Sequence, residues 1–280
     1  MNHAIKDVAD SFPPVFEKIK ISLTDRGLSW SWNDKHFWCY KNGRGYILCK
    51  PNNKRVGSKD KCYIKKGLEY LAPVLRMPNI QVNHFSLRLF EATLDPDDLL
   101  AAPLNAKSVY IYGHNISKVA QFLSAMSPGY LESICLDIRF RRAMQEDTAI
   151  IFETEQFKQA KSVDFKSHWK TFNVEGLGNF RHLQRFQCHM RIENTMEDVP
   201  RIRDLISTFE EFESCELRFS RRMYPMRTLA IALGEQIPIG PLSQQATINH
   251  RYRIPESNEY LEFEMKDDRI FSLINVVKIR

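Results

Sequence analysis

The sequence is missing most of the features that announce chemistry or a membrane. No run of about 18 apolar residues occurs, so no membrane-spanning helix is expected. The first 25 residues hold no apolar signal core, since Asp7, Asp10, Glu17, Lys18 and Lys20 interrupt every candidate. The six cysteines, Cys39, Cys49, Cys62, Cys135, Cys188 and Cys215, are scattered and form no C-x-x-C. That pattern suits reduced thiols packed as small core residues, in a cytoplasmic or nuclear protein. There is no Gly-rich phosphate loop, G-x-S-x-G, H-E-x-x-H or dinucleotide fingerprint. Cys188 and His189 are adjacent on a strand pattern and face opposite ways, and His182 and His189 lack a third ligand nearby. The acid pairs Asp97-Asp98, Glu210-Glu211 and Asp267-Asp268 fall at element ends, where capping and solvation explain them. Neither an enzyme, a cofactor nor a metal is expected.

Charge is uneven. Residues 1–66 carry 14 Lys and Arg against 6 Asp and Glu, while the remainder carries 26 against 28. Much of the basic excess lies in Lys50 to Lys61, which reads as a solvated hairpin loop. The alternative is a basic segment over residues 50–66 that contacts the phosphates of a nucleic acid, together with the nearby tryptophans.

What is present is a periodicity. Short alternating stretches start at His84, Ser108, Ser133, Ser162, Arg185 and Ser214, at intervals of 24, 25, 29, 23 and 29 residues. This is the spacing of a leucine-rich-type repeat, where each unit is a strand and a return helix and units must stack to bury their apolar faces. The expected fold is α/β: an irregular leucine-rich-repeat-like stack of strand–helix units, preceded by a small antiparallel β segment. The segment is expected from runs at Glu17 to Ser22, Leu28 to Trp32, His36 to Tyr40 and Tyr46 to Cys49, joined by turn residues. Trp30 and Trp32 share a face there, and Trp38 is expected to meet them across a turn as a sheet core.

Helices are expected between the strands. A short one over Ala4 to Ala9 ends at Pro13-Pro14. Lys66 to Met77 has helical spacing, with Pro73 predicting a kink or a late start. Asp95 is a candidate cap before Pro96, and Asn115 a candidate cap before Ile116, Val119, Ala120, Leu123 and Met126. Thr154 precedes a short helix to Ala160. Val199, Ile202, Leu205, Ile206 and Phe209 form one stripe, and Pro200 is expected in the first turn. Three strands after Tyr252 are expected to pair beside the last repeat.

Period-two alternation splits each repeat strand into two faces. The inward set is Phe85, Leu87, Leu89, Val109, Ile111, Leu136, Ile138, Val163, Phe165, Phe186, Cys188, Cys215, Leu217 and Phe219. The outward set is Arg88, Tyr110, Tyr112, Asp137, Arg139, Asp164, Lys166, Gln187, His189, Arg191, Glu216 and Arg218. Tyr and Arg are common anchors of protein interfaces, so the outward set is the candidate protein-binding surface.

Several motifs in order resemble one family. Leu131-Glu132-Ser133-Ile134 is followed by Glu155-Gln156-Phe157-Lys158-Gln159-Ala160-Lys161, with Phe157 where that family has Trp. Phe180 to Ile192, Val199 to Phe219 and Tyr260-Leu261-Glu262-Phe263-Glu264 continue the likeness. Together they resemble the FTH domain of nematode F-box proteins, over about Asn83 to Met265, and Phe16 to Leu89 resembles the region that follows the F-box there. The resemblance divides the chain into 1–14, a remnant of an F-box tail; 15–82, a small β-rich region; 83–265, the FTH-like repeat domain; and 266–280, a capping strand. It implies the target-recognition part of an SCF ubiquitin ligase receptor. Residues 1–14 are too few for an F-box, so the Skp adaptor and a cullin are expected partners only if a complete F-box lies outside this chain. A decoy or adaptor that does not recruit a ligase is the alternative. The target protein is not encoded in any motif, and no membrane partner is expected.

Overall fold

A computed structural model describes residues 14–52, 54–59, 61–90, 96–100, 103–139, 148–166, 171–241, 243 and 246–280. The helix expected at Ala4 to Ala9 and the cap expected at Asp95 lie outside the described residues. The chain divides into two compact units, Met1–Ala160 and Lys161–Arg280, each of mixed α/β structure.

In the first unit, β1 (Val15–Thr24), β2 (Gly27–Trp32), β3 (Lys35–Asn42), β4 (Gly45–Cys49) and β5 (Arg55–Ser58) pair as an antiparallel meander. Two-residue turns between such strands need left-handed backbone, and Asn33 (φ 50°) and Gly43 (φ 58°) supply it. The helix α1 (Tyr63–Leu75) packs on this meander through Gly67. A Cβ there would stand 2.5 Å from Leu28 Cδ2 and 3.3 Å from Trp30. The helix begins before Lys66, and Pro73 falls in its last turn, where it costs only one backbone hydrogen bond.

The unit continues with β6 (Gln81–Leu89), α2 (Pro96–Leu99), β7 (Asn105–Gly113), α3 (Ile116–Ser124), β8 (Ser133–Ile138), α4 (Ala149–Phe152) and α5 (Glu155–Gln159). Strands β6, β7 and β8 run parallel, with His84, Ser108 and Ser133 in register, so the starts of the three stretches align. Strand β1 also pairs parallel to β6, placing Ile19 beside Phe85 and Ile21 beside Leu87. The antiparallel segment is therefore not a separate sheet; within this unit the order is β8-β7-β6-β1-β2-β3-β4-β5. Alternation alone is silent on this point, because β1 has the same pattern whichever strand it joins.

The aromatic cluster forms with a different partner from the one expected. Phe37, not Trp38, stacks on Trp30 at 5.3 Å and meets Trp32 at 4.5 Å. The register pairs Trp30 with Phe37 and Ser29 with Trp38, so Trp38 projects to the opposite face.

The second unit holds β9 (Ser162–Phe165), a 3-10 helix (Glu175–Phe180), β10 (Arg185–Met190), α6 (Thr195–Ser207), β11 (Ser214–Ser220) and α7 (Met226–Ala232). It ends in β12 (Thr247–Arg253), β13 (Tyr260–Asp267) and β14 (Phe271–Ile279). Strands β9, β10 and β11 are parallel, with Ser162, Arg185 and Ser214 in register. Strand β14 lies antiparallel on β11, followed by β13 and β12.

Helix α6 departs from expectation. Pro200 sits in the second turn, because the start is fixed by Asn194, whose Oδ1 accepts from Met196 N at 3.1 Å. Asp198 Oδ2 also accepts from Glu193 N at 2.9 Å and Asn194 N at 3.1 Å. Burial opposes its ionisation, but these two amides and the Arg201 guanidinium at 3.2 Å outweigh it and hold its carboxyl below the usual aspartate range.

All residues of the inward set are buried, none more than 4% exposed. So are Ile116, Val119, Ala120, Leu123 and Met126 around α3. At roughly 25 cal/mol per Å² of apolar surface, these rows are the main stabilising term in each unit.

Candidate interaction face

The strand pleat and the helices together fix which side of each unit is open. In the first unit α1 and α3 cover the inward rows, leaving the outward rows of β6, β7 and β8 uncovered by helix among the described residues. Arg88, Tyr110 and Asp137 stand on adjacent strands there. The Arg88 guanidinium lies over the Tyr110 ring at 5.6 Å, and Tyr110 donates its hydroxyl to Asp137 Oδ2 at 3.2 Å. Burial, then the negative charge of Asp137, pushes the Tyr110 hydroxyl pKa up to about 12.

A second cluster begins one step along the strands. Arg139 lies over the Tyr112 ring at 5.5 Å and pairs with Asp137 at 3.7 Å. Tyr112 also meets Phe90 at 4.7 Å and His114 at 5.4 Å, and a His114 ring nitrogen bonds Arg139 O at 2.9 Å. These neighbours cover Tyr112 to 7% exposure, which corrects its expected place as an open contact. Phe90, 38% exposed, takes that place. Phe90 and His114 were outside the expected set. Carrying the period-two count two residues past Arg88 and past Tyr112 finds both.

The outward residues of the second unit have a different character. Arg218 bonds Glu216 Oε1 at 2.6 Å on its own strand and faces the Gln187 carboxamide. Lys166 pairs with Asp164 at 3.4 Å, and Arg191 is exposed. His189 is only 2% exposed, its ring against Phe271 of β14 at 4.9 Å. It is a covered residue, which corrects its expected exposure. The cause is β14, which the repeat pattern does not include. Charges on this surface are largely matched within a strand, and no aromatic–guanidinium stack occurs among its expected residues.

The motif residues have structural work in this fold. Thr154 Oγ1 accepts from Phe157 N at 3.2 Å and caps α5. Gln156, 5% exposed, donates Nε2 to Ser124 O at 3.1 Å and Met126 O at 2.7 Å, satisfying carbonyls at the end of α3. Phe157 is 1% exposed beside Phe152.

Among known proteins, no curated protein and no solved structure matches this chain. The FTH domain matches residues 88–228, which is half of the chain and includes β7 to β11 with the helices between them. On that match, the chain belongs to the FTH domain family.

Proposed function

We propose that this chain is a non-enzymatic protein-binding module, the target-recognition part of an F-box-type ubiquitin ligase receptor, working in the cytoplasm or nucleus. In this reading the strand–helix units form an irregular leucine-rich-type stack. The target docks on the outward rows of β6 to β8. The observation that carries the docking site is the pair of guanidinium–aromatic stacks, Arg88 on Tyr110 and Arg139 on Tyr112, on a sheet face uncovered by helix among the described residues. Each stack holds an arginine in a fixed pose without removing its donors, at a gain of roughly 0.5–1 kcal/mol. Preorganised Arg and Tyr are what interface hot spots are made of. Family membership supports the receptor reading, with ligase recruitment left to an F-box.

The test is comparative affinity capture. The intact chain and a Tyr110→Ala, Arg139→Ala double variant are used as baits, alongside a Lys54→Glu, Lys59→Glu, Lys61→Glu variant. A specific partner should be retained by the intact chain and by the lysine variant and lost by the double variant. Identical capture by all three baits would remove the docking site from this face. Binding lost only with the lysine variant, and falling steeply with salt, would instead favour nucleic acid.

A further inference from the structure

A groove of about 360 Å³ crosses the outward face of β6, β1, β2 and β3 in the first unit. Its floor is four serines, Ser22, Ser29, Ser31 and Ser86, on the row opposite the Trp30 and Phe37 core. Serine on a strand normally bonds to water or to a neighbour. No side-chain hydrogen bond of these four serines is found among the described residues, and Ser31 is only 5% exposed.

Two cations stand over this floor. Lys20 and Arg88 both line the groove, on strands that pair directly, and neither makes an ion pair among the described residues. The Arg88 guanidinium stacks on Tyr110. No carboxylate lines the groove. Lys20 stands opposite Ser86 and Arg88 opposite Ser22, so the two cations lie diagonally across the β1–β6 pair, and an anion in the groove would be favoured by both charges. At the far end the His36 and Trp38 rings stack, 5.9 Å apart at 18°, with Trp38 40% exposed as a flat wall. His36 makes no side-chain hydrogen bond or ion pair among the described residues.

The lining thus offers two cations and four hydroxyls able to donate, with no carboxylate among them. We propose that the groove is a binding site for a phosphate monoester. Lys20 and Arg88 hold the phosphoryl oxygens, the serine hydroxyls donate to them from the floor, and Trp38 flanks whatever carries the ester. Six donors facing one volume suit an oxyanion with several acceptor oxygens better than a carbonyl or an amide. The site shares Arg88 with the proposed docking face but is argued from the groove itself. It lies mostly before the family-matched residues, and small probes test it.

The full chain is titrated with inorganic phosphate, a phosphoserine peptide and adenosine 5′-monophosphate, at an ionic strength fixed by chloride. Heat and tryptophan fluorescence report binding. Saturable binding of at least one probe is expected, weakened about tenfold or more in Lys20→Ala and in Arg88→Ala. Ser31→Val should weaken it several-fold, while thermal unfolding shows that each variant is folded. Lys54→Glu with Lys59→Glu should leave it unchanged. A peptide that outbinds phosphate identifies a protein-borne ester. A nucleotide that outbinds it and needs Trp38 identifies a nucleotide, and equal affinities for all three would overturn the ester reading in favour of the free anion. Absence of saturable binding for all three probes, or equal weakening by the Lys54 and Lys59 variant, overturns the proposal.

Discussion

Tyr110 on β7 is bound from both sides, by Asp137 through its hydroxyl at 3.2 Å and by Arg88 over its ring at 5.6 Å. The arrangement ties three adjacent strands of the open face together and keeps the phenol neutral.

That neutrality has a pH consequence. In the folded chain the Tyr110 hydroxyl ionises near pH 12, against about 10 when unfolded. A raised folded pKa contributes stability that is complete below pH 10 and is lost as pH rises towards 12. Ultraviolet titration of intact chain and Tyr110→Phe should differ by one tyrosine that ionises only near pH 12. The alkaline fall in melting temperature should be smaller in the variant. A difference spectrum that develops near pH 10 would refute the half-buried, hydrogen-bonded state.

Gln156 should be a stability residue. Replacing it with Ala leaves two carbonyls at the end of α3 without their donor, one of them buried, at a cost of about 1–3 kcal/mol. Urea unfolding measures this. If the loss is structural, partner binding by the remaining folded fraction should keep its affinity.

Asp198 should make the second unit acid-sensitive. Its depressed pKa contributes stability that is present above the ordinary aspartate range near 4 and is lost as pH falls through the lower folded value. Asp198→Asn should lower stability at pH 7 by about 1 kcal/mol, as for other lost helix caps. It should also flatten the acid limb of the stability curve, as followed by circular dichroism.

Gly67→Ala should destabilise despite the better helix propensity of alanine. Propensity offers about 1 kcal/mol, but the new methyl would press on Leu28 and Trp30, both buried, and overpacking costs about 1–3 kcal/mol. A lowered melting temperature is expected. Gly67→Ala together with Leu28→Val should recover part of the loss by making room.

Much of the local structure was legible from one line of residues. Alternation placed every inward residue of the six stretches correctly, because a strand has only two faces and one must be dry. Asn115 was legible as a cap because a short side-chain acceptor before an apolar stripe has few other uses. Pro200 misled because proline is tolerated beyond the first turn when other groups fix the helix start, and the Asp198 carboxylate does so from inside the helix.

The candidate sites were legible only in part. The outward placement of Arg88, Tyr110 and Arg139 was legible from the pleat, whereas the covering of His189 was not, since it depends on a strand more than 80 residues away. The serine groove was invisible, because its floor is drawn from three strands, β1, β2 and β6, whose order is not written in their patterns.

The sequence by itself determined the periodic strand–helix alternation, the buried rows and the family, since these follow from local patterning and short-range motifs. Tertiary structure alone decided that β1 joins β6, that Phe37 rather than Trp38 completes the aromatic core, and which polar residues share a face. The physical reason is that strand pairing is set by contacts distant in the chain, and a pleat with identical alternation fits several neighbours equally well until the packed sheet selects one.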